Sequence, residues 1–111
     1  MFTRKLSFTK PTYPKARAMG ITSFPYFERD SNGNQTYYEH SNGKWDRSEY
    51  DSNGNQTYYE NYTGYWVKRE YDSKGMITYY ENSNGDWYRA EFDSNGECTY
   101  CEDSTGKIVR Y

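Results

Sequence analysis

The sequence predicts an all-β protein, an antiparallel meander of tandem 21-residue hairpin repeats forming a single-layer or rolled sheet of about nine strands. Three observations predict it. The pattern D-S-x-G-x-x-T-Y-[YC]-E-x-x-x-G begins at Asp30, Asp51, Asp72 and Asp93, at a constant interval of 21 residues. Eight of the nine glycines stand at positions 33, 43, 54, 64, 75, 85, 96 and 106, so the gaps between them alternate between 10 and 11. The segments between glycines are rich in Tyr, Thr and Trp and too short for helices, as in Gln35-Thr36-Tyr37-Tyr38-Glu39.

The elements follow in chain order. Residues 1–22 carry five basic residues (Arg4, Lys5, Lys10, Lys15, Arg17) and no acid, whereas residues 23–111 carry nine basic and 16 acidic ones. The chain therefore divides into a basic N-terminal arm, 1–22, and a repeat domain, 23–111. The simplest role for the arm is to lie on the acidic body; as a nucleic-acid tail its charge is thin. Phe2, Leu6 and Phe8 alternate with polar residues and fit one strand over Phe2–Thr9, ended by Pro11 and Pro14. Lys15 to Met19 fits a single helical turn.

From Phe24 onward the turns set the rhythm. Asp30-Ser31-Asn32-Gly33 and Asn82-Ser83-Asn84-Gly85 place a capping Asx first, right-handed residues centrally and Gly where φ must be positive. That is the chemistry of a type I turn closed by a glycine bulge. An odd repeat raises a question of parity, because identical three-residue loops would put Trp45, Trp66 and Trp87 on alternating faces. Near-identical copies should have near-identical surroundings. One three-residue and one four-residue loop per repeat restores this, with Arg47 opposite Tyr58 and the longer loop at Asp-Ser-x-Gly. Tyr37, Glu39, Trp45, Arg47 and Glu49 then share a first face, and Thr36, Tyr38, Asp46, Ser48 and Tyr50 a second. The opposite assignment brings Glu39 beside Asp46, which like-charge repulsion disfavours.

Composition limits the core. Leu, Ile, Val and Phe together number 11 of 111 residues, whereas Tyr numbers 15 and Trp three, so burial must be chiefly aromatic. Large amphipathic rings cover backbone and charged stems while keeping a hydroxyl or indole N–H in water. With a formal net charge of only −2, the chain is expected to be ordered without a deep core. No apolar run is long enough to cross a membrane and no secretory signal is evident, so a soluble cytoplasmic protein is expected.

Read together, Gly43-Lys44-Trp45 through Glu49-Tyr50-Asp51-Ser52-Asn53-Gly54-Asn55 to Tyr58-Tyr59-Glu60 resemble the short Tyr-Asp repeats (N-G-x-W-x-K-R-E-Y-D-S-N-G-N-x-x-Y-Y-E) of small proteins from bacteria, phages and mobile elements. The resemblance covers about 27–111 and extends more distantly to the large Tyr-Asp shell proteins, membrane-occupation repeats and choline-binding repeats. It implies a β-hairpin array used for binding. In a phage or plasmid setting it implies a host-directed role, such as inhibiting a defence system of the CRISPR or restriction kind. Four repeats are too few to enclose a cargo as the large shells do.

The residues themselves call for no catalytic group, metal or cofactor. Cys98-Thr99-Tyr100-Cys101 spells C-x-x-C, but in a regular strand residues three apart face opposite ways with α-carbons about 10 Å apart at ~3.3 Å per residue. That is too far for a disulfide. The only histidine, His40, opens a turn, and the acids recur in every repeat as cross-strand pairing demands. Asp-Ser-Asn-Gly-Asn departs from the calcium-loop spacing, its Gly two places early.

Positions where the copies disagree are the candidates for contact. Tyr62 and Tyr65 put two rings on one loop tip, while Val67 and Arg69, with Tyr88, vary on the second face. Tyr, Trp and Arg are enriched in interface hot spots, so Tyr62, Tyr65, Val67, Arg69 and Tyr88 form the expected partner-binding patch. The expected function is non-enzymatic protein binding, with a host protein or protein complex as partner. The alternatives are a carbohydrate or choline-type ligand module built on Trp45, Trp66 and Trp87, and a structural repeat protein that forms homo-oligomers through the edge strand bearing Ile108 and Val109. The thin charge of the arm argues against a nucleic-acid partner, and alternation of Arg and Lys with the acids argues against a DNA mimic.

Overall fold

The structure, a computed structural model, describes residues 12–111, so the strand expected over Phe2–Thr9 lies outside the described residues. Pro14 precedes one short helix, α1 (Lys15–Ala18), and Gly20 follows it with φ +82°. This is the single helical turn the sequence predicts. Nine strands then run β1 (Tyr26–Arg29), β2 (Gln35–Glu39), β3 (Trp45–Tyr50), β4 (Gln56–Asn61), β5 (Trp66–Tyr71), β6 (Ile77–Asn82), β7 (Trp87–Phe92), β8 (Cys98–Asp103) and β9 (Ile108–Arg110). They form one open antiparallel sheet in meander order, each strand paired with the next.

The turns share one geometry. At Asp51 the backbone N–H donates to the Asn55 carbonyl at 2.9 Å, and the Gly54 N–H returns to the Asp51 carbonyl at 3.0 Å. At His40 the same two bonds run to Lys44 and from Gly43, at 2.8 and 3.0 Å. Gly54 and Gly43 have φ of +84° and +89°, a region where a side chain is strained, which fixes glycine at these places. Asp51 Oδ1 also accepts the N–H groups of Asn53 and Asn55, both at 2.9 Å, so Asp holds the loop closed.

Two loop lengths are therefore not what settles parity, and the expected register is corrected. Arg47 stands opposite Glu60, not Tyr58, and Tyr58 stands opposite Glu49. The odd residue lies in the strand. Register shifts between Glu49 and Tyr50, whose partners are Tyr58 and Gln56, so Thr57 faces no partner. The same shift leaves out Thr36, Thr78 and Thr99. Each is a β-bulge in the Asp-Ser-x-Gly hairpin, the hairpin to which parity assigns the extra residue. A bulge absorbs one residue without disturbing a loop whose hydrogen bonds are already complete, and it adds twist. The expected faces survive: Tyr37, Glu39, Trp45 and Arg47 share the first face.

Burial is thin and falls in two places. Ala16 of α1 is buried against Tyr37 and Glu39 of the first face, and the second face buries Ser48, Val67, Asn82 and Ala90. The molecule is long, 55 × 38 × 27 Å, with a radius of gyration of 18.0 Å. A compact chain of this length would have about 13 Å. Among the described residues no helix is long and apolar enough to cross a membrane.

Candidate interaction surfaces

The second face gathers most of the expected patch. Successive odd residues of β5 point the same way, which carries Val67 and Arg69 to one side together with Tyr65 at the strand entrance. Opposite them β6 presents Tyr80, which faces Arg69 on one side and Tyr88 of β7 on the other. The Tyr80 and Tyr88 rings stack at 5.9 Å, and the Arg69 guanidinium lies 5.5 Å from the centre of Tyr80. Arg69 Nη1 also donates to Gln56 Oε1 at 3.0 Å, which fixes its orientation. The Tyr65 phenol is raised above its ordinary value, chiefly by the Tyr80 hydroxyl. Burial likewise raises Tyr88.

Tyr62 is not brought to these rings: it is half exposed on the loop tip beside β3, its N–H donating to the Trp45 carbonyl at 3.0 Å and the Lys44 ammonium 5.6 Å from its ring centre. Val67 differs from the expectation. It is only 4% exposed, packed between Tyr59 and Asn82, its partners across the ladder, so it supports the patch from below and offers no surface. Tyr80 is the member that sequence comparison between copies missed, because Tyr38, Tyr59 and Tyr80 are identical. The register alone shows that it links Arg69 to Tyr88.

The first face repeats a two-by-two arrangement. Tyr37 lies opposite Arg47 and Glu39 opposite Trp45; Tyr58 and Lys68, Glu60 and Trp66, Tyr79 and Arg89, Glu81 and Trp87 repeat it. Within each copy the Tyr hydroxyl donates to the Glu two residues on, at 2.7 Å for Tyr37 and 3.2 Å for Tyr79. Preceding strands supply a cation beside the Glu: Arg47 Nε donates to Glu60 at 2.9 Å and Arg89 Nε to Glu102 at 3.2 Å.

The first copy departs from this rule, and the departure seats the arm. Tyr26 stands where later copies have Arg47, Lys68 and Arg89, so no neighbouring strand brings a cation to Glu39. Arg17 brings it from above, at 2.5 Å. Its guanidinium also donates to the carbonyls of His40 and Ser41 and lies 4.2 Å from the centre of Phe24. The Ala16 N–H donates to Glu39 Oε1 at 2.7 Å, the Lys15 N–H to the Tyr37 hydroxyl at 2.8 Å, and Lys15 Nζ pairs with Glu28 at 2.6 Å. The Tyr13 ring stacks on Trp45 at 4.3 Å.

Burial of Glu39 alone would raise its pKa, but the hydrogen bonds from Tyr37, Ala16 and Arg17 outweigh it and hold the carboxyl below its usual range. Glu28 is held low in the same way, by Lys15 and Tyr26 against burial. Burial, then the Glu39 bond, pushes the Tyr37 phenol well up. The described part of the arm thus lies on the acidic body, over β1 to β3. It does not reach β9, whose only sheet neighbour among the described residues is β8.

The cysteines need a correction. The bulge at Thr99 breaks the alternation assumed for a regular strand, and Cys98 and Cys101 are neighbours. Burial raises the Cys101 thiol, and Cys98 raises it further. Both thiols are free. No group of three or more His, Cys, Asp or Glu side chains suited to a metal occurs among the described residues.

No family model matches the chain, and no curated protein matches it.

Proposed function

We propose that this chain is a non-enzymatic protein-binding module that covers a functional surface of a host protein with the second-face patch of Tyr65, Arg69 and Tyr88 around Tyr80, with Tyr62 as a separate exposed ring on the loop tip. The observation that carries this reading is convergence. Arg69 and Tyr88, which differ between otherwise faithful copies, meet through Tyr80, whose ring stacks on Tyr88 and lies under the Arg69 guanidinium that Gln56 orients. Rings and Arg on a rigid support lose little entropy on binding, which is why such residues dominate interface energetics. The resemblance to short Tyr-Asp repeats supports a host-directed role, with inhibition of a defence system as the specific form.

The test is capture of a defined partner from a bacterial lysate by the intact chain and by Tyr65→Ala and Arg69→Ala variants. Each substitution is expected to weaken binding at least tenfold while the far-ultraviolet circular dichroism stays unchanged. Undiminished capture by both variants would remove the patch. The carbohydrate or choline alternative is less well served, because Tyr13 covers Trp45, the first ring of the Trp ladder.

A further inference from the structure

The arm lies on the first copy as a tethered ligand would, and the sheet repeats the surface it binds. In the first copy that surface is Glu28, Tyr37, Glu39 and Trp45; one repeat later it is Glu49, Tyr58, Glu60 and Trp66, and two repeats later Glu70, Tyr79, Glu81 and Trp87. These surfaces are not equally available. In the second, Arg47 already engages both Glu49, at 3.2 Å, and Glu60, at 2.9 Å. In the fourth, Ile108 stands in the Trp position and Arg89 engages Glu102. The third differs from both. Lys68 is in register with Glu81, yet its ammonium lies over the Trp66 ring at 5.2 Å, and neither Glu70 nor Glu81 makes an ion pair among the described residues. The third surface therefore combines a Trp, a Tyr and two carboxylates that form no ion pair among the described residues, Lys68 lying beside Glu81 but turned to Trp66. Apart from Lys68, which stands where the first copy has Tyr26, that is the state Glu28 and Glu39 would be in if Lys15 and Arg17 were removed.

We infer that the third repeat is a docking site for a segment of a partner protein bearing an aromatic residue followed by Lys two residues on and Arg four residues on, the spacing of Tyr13, Lys15 and Arg17. The aromatic ring rests on Trp87 as Tyr13 does on Trp45, the Lys pairs with Glu70 as Lys15 does with Glu28, and the Arg reaches Glu81 as Arg17 reaches Glu39. Charge along the strands favours this. The first face carries eight Glu against four Arg or Lys, and the arm supplies only two further cations, both at the first copy. A second copy of this chain is the poorer occupant, because its own Arg17 and Ala16 are already committed to a fully buried Glu39. This surface lies on the face opposite the patch of the preceding subsection and does not depend on it.

The test is titration of the full chain, labelled with nitrogen-15, with a synthetic peptide of the sequence Thr-Tyr-Pro-Lys-Ala-Arg-Ala, following the three Trp indole N–H resonances. The Trp87 resonance is expected to move, with the Trp45 resonance still. Glu70→Lys, a change at an exposed side chain, should weaken the peptide at least tenfold, and Glu49→Lys less than twofold. Replacing the peptide's Tyr by Ala or its Lys by Glu should abolish the shift. Movement of Trp45 alone would mean exchange with the chain's own arm and would overturn the inference. So would a Trp87 shift seen only after residues 2–11 are deleted, which would assign the surface to the chain's own N-terminus. Concentration-dependent dimerisation of the unmodified chain that Glu70→Lys abolishes would give the site to a second copy and overturn it equally.

Discussion

Glu39 and Tyr26 act together at the scale of single residues. A carboxylate with no exposed surface is stable only when its oxygens are filled, and Glu39 takes a phenol, a backbone N–H and a guanidinium. Replacing Glu39 by Gln removes the charge that holds Arg17, which is itself about one-third exposed, and is expected to cost about 1–2 kcal/mol in urea unfolding. The pH dependence has a definite sign. Because the folded-state pKa of Glu39 and of Glu28 lies below the ordinary 4.5, both contribute stability that is full above that value and lost as pH falls through the lowered folded pKa. Acid unfolding followed by Trp fluorescence should show the Trp45 signal responding in this window, and Glu39→Gln should flatten it. A melting temperature independent of pH from 6 down through the carboxylate range would refute this account.

The bulged hairpin is the unit that matters at the scale of elements. Each repeat has an odd number of residues, and one unpaired Thr per repeat converts that odd count into a constant face. Thr57 can therefore be deleted with Gln56 still opposite Tyr50 and Tyr58 still opposite Glu49. The deletion should leave the sheet folded, with reduced twist and a loss within about 1–2 kcal/mol, the range of ordinary single changes. Deleting Lys68 from the unbulged β5 is different. It drives either the Trp66 side or the Arg69 side onto the wrong face and should unfold that hairpin in hydrogen exchange. Equal protection in the two deletion variants would show that the bulge does not set parity.

At the scale of the whole molecule, the described residues form a ribbon of neighbours with no central core among them. Strands touch the next strand in sequence, and burial is confined to small groups on each face. Stability should then approximate a sum of hairpin and nearest-neighbour contributions. Truncation after Gly96, which removes β8 and β9, is expected to leave the Trp45 environment and the docking of α1 intact and to lower the unfolding midpoint only modestly. Collapse of the β-signal in that truncated chain would show a cooperative core that the burial pattern does not contain.

Sequence alone determined the beat and the punctuation: glycines where φ is positive, Asx caps before them, Tyr, Thr and Trp between, and hence nine strands in order. These are local preferences, each set within four or five residues, so they are legible without coordinates. The sorting of Tyr37, Glu39, Trp45 and Arg47 onto one face was also legible, because alternation and the demand for equivalent surroundings constrain parity. Register was not, since a longer loop and a strand bulge satisfy parity equally well and differ only in hydrogen bonding across two strands. The same holds for Cys98 and Cys101, for buried Val67, and for the link that Tyr80 makes between Arg69 and Tyr88. Tertiary structure alone decided where the arm lies. Tyr26 in place of a cation means something only when Glu39 is seen beside it and Arg17 above it, and that meeting joins residues more than 20 positions apart in the chain.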